Sequence, residues 1–112
     1  DQFLILFRIP ILDLLPDGSP WSEVETYAQA LQSAGVHILN SGIGWHESRV
    51  PTIASMVPRK AFLSFTEKLK KVVQVPVVAT NRFVTPQDVN AALESGQADL
   101  VSMARPFLAD PQ

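Results

Sequence analysis

Four short runs rich in apolar residues, Phe3 to Phe7, Val36 to Asn40, Val75 to Ala79 and Ala98 to Ala104, divide this chain into strand-sized pieces. Phe3 to Phe7 is continuously apolar, the pattern of a strand buried on both faces, as strands of parallel sheets are. Between the runs, apolar residues return at helical spacing: Val24, Tyr27, Ala28, Leu31 and Ala34; then Ala61, Phe62, Phe65, Leu69 and Val72; then Val89, Ala92 and Leu93. Strand and helix thus alternate from end to end. That order predicts an α/β fold with a parallel sheet and right-handed crossovers.

Local signals mark the ends of the pieces. The stretch Leu15-Pro16-Asp17-Gly18-Ser19-Pro20 excludes a helix, and Ser19 or Ser22 is placed to cap the one that follows. Gly35 stands where a helix C-cap glycine belongs, and Thr85-Pro86 caps and opens the third helix. The connection from Ser41 through Pro58 is long for a compact domain, and long loops of that kind are usually functional. Each strand ends in a polar or glycine-bearing loop, the layout of a (β/α) barrel. A complete barrel of eight units needs roughly 250 residues, so these 112 form about half of one. Its outer strands are then exposed edges unless a missing half or a second copy covers them.

Composition narrows the functional classes. A formal net charge of −2 with scattered Lys and Arg provides no basic field, so nucleic acid is not an expected partner. No apolar run approaches the roughly 20 residues needed to span a bilayer, and no signal peptide is visible, so a cytoplasmic location is expected. The absence of cysteine removes thiolate metal sites and cysteine nucleophiles. No zinc spacing, phosphate loop or glycine-rich dinucleotide fingerprint occurs, and no metal site is expected.

In a parallel sheet the strand ends share one rim, and here they carry Arg8, then Asn40 with the Gly42-to-Arg49 loop, then Thr80-Asn81-Arg82, then Ser102-Met103-Ala104-Arg105. Arginines at such a rim suit a phosphate, a carboxylate or the electron-rich edge of a flavin ring. Arg82 and Arg105 close the last two strands, where barrels commonly hold a phosphate. His46 reads either as a general acid, titrating near neutral pH, or as a loop histidine packed against Trp45. Glu47 and Arg49 read as substrate-binding or His46-orienting groups, or as solvated loop charges. His37 reads as structural, and Asp99 and Asp110 as capping or turn residues.

The segments Asn40-Ser41-Gly42-Ile43-Gly44-Trp45-His46-Glu47, Arg49, Pro51-Thr52, Thr80-Asn81-Arg82 and Ser102-Met103-Ala104-Arg105-Pro106-Phe107-Leu108-Ala109-Asp110 together resemble one family. They are similar to the NADPH-dependent 2,4-dienoyl-CoA reductases of bacteria, members of the old yellow enzyme group of FMN barrels. The resemblance implies that residues 1–112 are a single fragment, the C-terminal half of the barrel, strands five to eight. It implies FMN as cofactor, with Arg8 facing the pyrimidine edge of the flavin and Asn81, Arg82, Ala104 and Arg105 gripping its phosphate. It implies an enoyl- or dienoyl-CoA substrate, with His46 as the histidine that polarises or protonates it. In the parent it further implies NADPH, FAD and a 4Fe-4S cluster, whose cysteines this chain lacks, together with a catalytic tyrosine that Tyr27 does not replace. The fragment alone is therefore expected to be inactive, or to be a flavin- or phosphate-binding or purely structural half-barrel.

Overall fold

The computed structural model describes residues 3–111. Four parallel strands lie in the order β1-β2-β3-β4: β1 Leu6–Leu12, β2 Ile38–Ile43, β3 Val77–Ala79 and β4 Leu100–Val101. The helices α1 Trp21–Ser33, α2 Leu63–Lys70 and α3 Pro86–Glu94 fill the three connections, and a short α4, Arg105–Ala109, follows β4. This is the parallel α/β arrangement that the alternating apolar pattern implies.

The strand boundaries differ from the sequence reading, most of all in the first strand. Phe3, Leu4 and Ile5 precede β1 and are exposed, while the strand runs on through Pro10 to Leu12. Pro10 does not stop it because β1 is an edge strand, where a missing N–H disrupts little, and an irregularity between Pro10 and Leu12 absorbs the distortion. The strand is also not buried on both faces: Ile9 and Ile11 are buried, whereas Leu6, Arg8 and Pro10 are exposed. Arg8 accordingly lies within β1 rather than beyond it. In the second strand, Ser41-Gly42-Ile43 belongs to β2 rather than to the loop. The fourth strand pairs only at Leu100 and Val101 instead of across Ala98 to Ala104.

One face of the sheet carries the core. Ile9, Leu39 and Val77 are fully buried there and pack with Val24 and Ala28 of α1 and Leu69 of α2. A second cluster joins Ala79 to Leu63, Phe83, Ala92 and Ala98. Since side chains alternate along a strand, the other face presents the register row Arg8, Asn40, Val78, Leu100. On that side Leu6 and Leu100 are about half exposed.

The helix ends follow local chemistry in two cases and depart from it in one. Gly35 takes φ +95° and closes α1 with Gly35 N–H to Gln32 O (3.0 Å) and Val36 N–H to Leu31 O (3.1 Å). Thr85 and Asp88 form a reciprocal capping box at α3. Neither Ser19 nor Ser22 caps α1, whose N-cap is Pro20; the Ser19 N–H instead donates to Asp13 Oδ2 at 3.0 Å, which turns the loop.

Two polar residues tie elements together. His37 Nδ1 accepts from the Ile5 N–H (3.1 Å) just ahead of β2, the structural role expected of it. Asp99 is more than a turn residue: it pairs with Lys70 Nζ at 2.7 Å and accepts the Val77 N–H at 2.9 Å, joining α2, β3 and β4. Burial acts to raise the Asp99 pKa, but the Lys70 and Val77 hydrogen bonds and the Lys70 charge outweigh it, so the carboxyl titrates below its ordinary range.

Candidate functional site

The carboxyl ends of the strands form the rim that the alternating fold predicts, and buried hydrogen bonds fix its floor. Ser41 Oγ donates to Val78 O (2.8 Å) and Thr80 Oγ1 donates to Ser41 O (2.6 Å), locking the end of β2 to that of β3. Gly42 leaves room for its neighbour: a Cβ there would stand 3.1 Å from Ile9 O and 3.4 Å from Arg8 Nε. Gly44 is more constrained, with φ +80° and a would-be Cβ 2.8 Å from Thr52 Cγ2. The two glycines thus let the chain leave β2 closely packed while Arg8 stays beside it.

Two clefts open on this rim and meet at Arg8. One, of about 200 Å³, is lined by Arg8, Asn40, Thr80, Asn81, Arg82 and Arg105 among others. The other, of about 410 Å³, is lined by Arg8, Gly42, Trp45, His46 and Thr52 among others. Arg8 has no hydrogen bond or ion pair among the described residues, and the buried Oδ1 of Asn40 has no hydrogen-bond partner. Arg8 therefore holds its guanidinium donors uncommitted where the clefts join.

At the other end of the rim the side chains are already engaged. Asn81 Nδ2 donates to Thr52 Oγ1 (3.0 Å), Arg82 Nε to Val57 O (2.8 Å), Arg82 Nη2 to Ser55 O (3.4 Å), and Arg105 to Ile53 O. Residues 52–57 are thereby strapped across the ends of β3 and β4. Asn81 and Arg82 both adopt φ +64°, a left-handed conformation that non-glycine residues take at a cost. Ala104 is the N-cap of α4 and lines the smaller cleft.

His46 sits in the turn after β2, exposed, with its ring 5.8 Å from that of Trp45 and tilted by 55°. It shares the larger cleft with Arg8. Glu47 and Arg49 do not line that cleft, and among the described residues neither forms a hydrogen bond or ion pair with His46. The structure thus gathers Arg8, Asn81, Arg82, Ala104, Arg105 and His46 on one rim and leaves Glu47 and Arg49 beside it. Sequence reasoning gave no role to Thr52, the anchor for Asn81, or to Ile53, which lines the smaller cleft and is 60% exposed. Both lie in the over-long loop, and Thr52 also belongs to the segments that carry the family resemblance.

The donor set suits a phosphate-bearing flavin. Three arginines and two asparagines line the smaller cleft, Arg82 and Arg105 have donors beyond those holding the strap, and Arg8 is a cation uncommitted among the described residues. FMN offers matching acceptors at its phosphate and along its pyrimidine edge.

A parallel α/β sheet with a cationic, polar rim at its carboxyl edge is consistent with a fragment of a TIM barrel. The chain belongs to the NADH:flavin oxidoreductase / NADH oxidase family, whose model matches residues 1–112, and membership implies FMN binding. It is 37% identical over 111 residues to a metal reductase of Desulforamulus reducens, covering 99% of this chain and 17% of that protein. It is 30% identical over 114 residues to an NADH oxidase of Thermoanaerobacter brockii, covering 100% of this chain and 17% of that protein. A 2-naphthoyl-CoA reductase in complex with 2-naphthoyl-CoA superposes with a TM-score of 0.87 at 26% identity, over 93% of this chain and 16% of that one. The chain therefore spans a small part of each relative. Among the described residues no helix is long and apolar enough to cross a membrane.

Proposed function

We propose that residues 1–112 are strands five to eight of the FMN-binding barrel of a cytoplasmic, NADPH-dependent reductase that acts on conjugated acyl-CoA thioesters, 2,4-dienoyl-CoA foremost. The observation that carries this reading is the junction of the two clefts at Arg8, with His46 on one side and the Asn81, Arg82 and Arg105 donors on the other. The likeness to a CoA-thioester reductase supports the substrate class. The remaining barrel strands, and in the parent FAD and a 4Fe-4S cluster, complete the proposal.

When bound, FMN supplies the redox chemistry of a two-electron reduction. Arg8 donates to the pyrimidine edge and stabilises negative charge there. The backbone at Asn81, Ala104 and Arg105, with the Arg82 and Arg105 guanidinium donors left over from the strap, holds the phosphate. His46 Nδ1 or Nε2 gives a hydrogen bond or a proton to the thioester. Glu47 and Arg49, beside the His46 cleft, contact the CoA portion.

The test is an absorbance scan and anaerobic titration of the full-length protein. Bound FMN that NADPH reduces and 2,4-dienoyl-CoA reoxidises is the expected result. A full-length protein without flavin, or a reduced flavin that no enoyl- or dienoyl-CoA reoxidises, overturns it.

A further inference from the structure

Asn40 is the residue at the rim with a need that none of the described residues meets. Among the described residues its Oδ1 is buried without a hydrogen-bond partner, and a buried acceptor left unpaired is destabilising. Asn40 lies directly across from Arg8 in the β1–β2 register, on the same face of the sheet, and both line the smaller cleft. Adjacent strands are about 4.8 Å apart, so an arginine easily reaches a neighbour in the same row. Among the other donors of that cleft, Thr80 donates to Ser41 O and Asn81 to Thr52, and Arg82 and Arg105 are anchored on the far strands to the carbonyls of Val57, Ser55 and Ile53. Arg8, by contrast, has no acceptor among the described residues. An acceptor without a donor and a donor without an acceptor thus face one site from adjacent strands.

We propose that Asn40 is a positioning residue for Arg8: its carboxamide oxygen accepts one guanidinium N–H and so aims the remaining donors of Arg8 at the bound cofactor. A planar guanidinium held by one N–H keeps an opposite pair free in a fixed plane, the geometry needed to address two acceptors on one ring edge. Arg8 also extends past Gly42, where the absence of a Cβ leaves room for its Nε. The inference rests on the flavin reading above and assigns Asn40 a part in it.

The test is a double-mutant cycle in the full-length protein, read by FMN dissociation constant and by the midpoint potential of the bound flavin. Asn40→Leu keeps the volume and removes the acceptor. It is expected to weaken FMN binding roughly three- to ten-fold and to make the potential more negative, because the cation no longer faces the flavin squarely. Arg8→Ala is expected to abolish that sensitivity, so that adding Asn40→Leu changes neither value further. Asn40→Asp, which keeps the acceptor, restores affinity. Equal losses from Asn40→Leu with and without Arg8, or no change in either measure, overturn the inference and leave the flavin reading intact. Failure of the wild type to bind FMN overturns both.

Discussion

At the β1–β2 end of the rim, Arg8 and Asn40 carry polar groups without partners among the described residues, whereas at the β3–β4 end Asn81, Arg82 and Arg105 donate to the loop at residues 52–57. The two ends look alike in sequence, an arginine close to each apolar run. Their burdens differ: the first end stands ready for a ligand, and the second must hold its own wall in place before it serves one. A substitution at the first end should therefore affect function without affecting stability, and one at the second end should affect both.

The largest expected effect lies at the first end. In the full-length protein, His46→Ala should slow reoxidation of the reduced flavin by dienoyl-CoA by about 10²- to 10⁴-fold, the usual worth of a general acid. NADPH-driven flavin reduction should stay near normal. Stopped-flow measurement of both half-reactions checks this, and a wild-type reoxidation rate would rule out the catalytic role.

Arg8→Ala against Arg82→Ala sharpens the comparison directly. On the proposed reading each should remove a charged hydrogen bond to the cofactor worth about 1.5–3 kcal/mol, roughly ten-fold or more in FMN affinity. Only Arg82→Ala should also lower the melting temperature, because Val57 O and Ser55 O lose their donor. If Arg8→Ala destabilises as much as Arg82→Ala, the distinction between the two ends collapses.

Gly44→Ala tests the joint between them. Its left-handed φ costs about 1–2 kcal/mol for a residue with a Cβ, and the Cβ would press on Thr52. Denaturant unfolding should show at least that loss. An unchanged midpoint would mean that the loop yields freely.

The smallest effect is electrostatic and lies away from the rim, at the amino-terminal ends of β3 and β4. Asp99 has a folded pKa below its unfolded value of about 3.9. Its contribution is therefore present above that unfolded value and lost as pH falls through the folded one. A pair this exposed contributes at most about 1 kcal/mol. The stability gap between wild type and Asp99→Asn should be open at pH 7 and shrink in acid; a gap independent of pH would show that the Val77 N–H contact, rather than charge, sets it.

The order of elements was legible because burial and periodicity are local properties: Val24, Ala28, Leu31 and Ala34 mark α1 whatever surrounds them. Caps were legible where one side chain or one φ decides, as at Gly35 and at Thr85 with Asp88. Strand limits were not. Phe3 to Phe7 reads as a buried strand because nothing in those five residues says that β1 is an edge, and pairing with β2 moved the strand onward through Pro10. Asp99 looked partnerless because Lys70 lies 29 residues away.

For the candidate site, the sequence by itself determined which chemical groups reach the rim, since a strand followed by a polar loop delivers its last residues there in any parallel sheet. Only the tertiary structure decided which of those groups are free. Arg8 and Arg82 are the same residue type beside similar apolar runs, and what separates them is whether a loop carbonyl lies within hydrogen-bond reach. That depends on how residues 52–57 fold back over β3 and β4, a long-range packing outcome that no local pattern encodes.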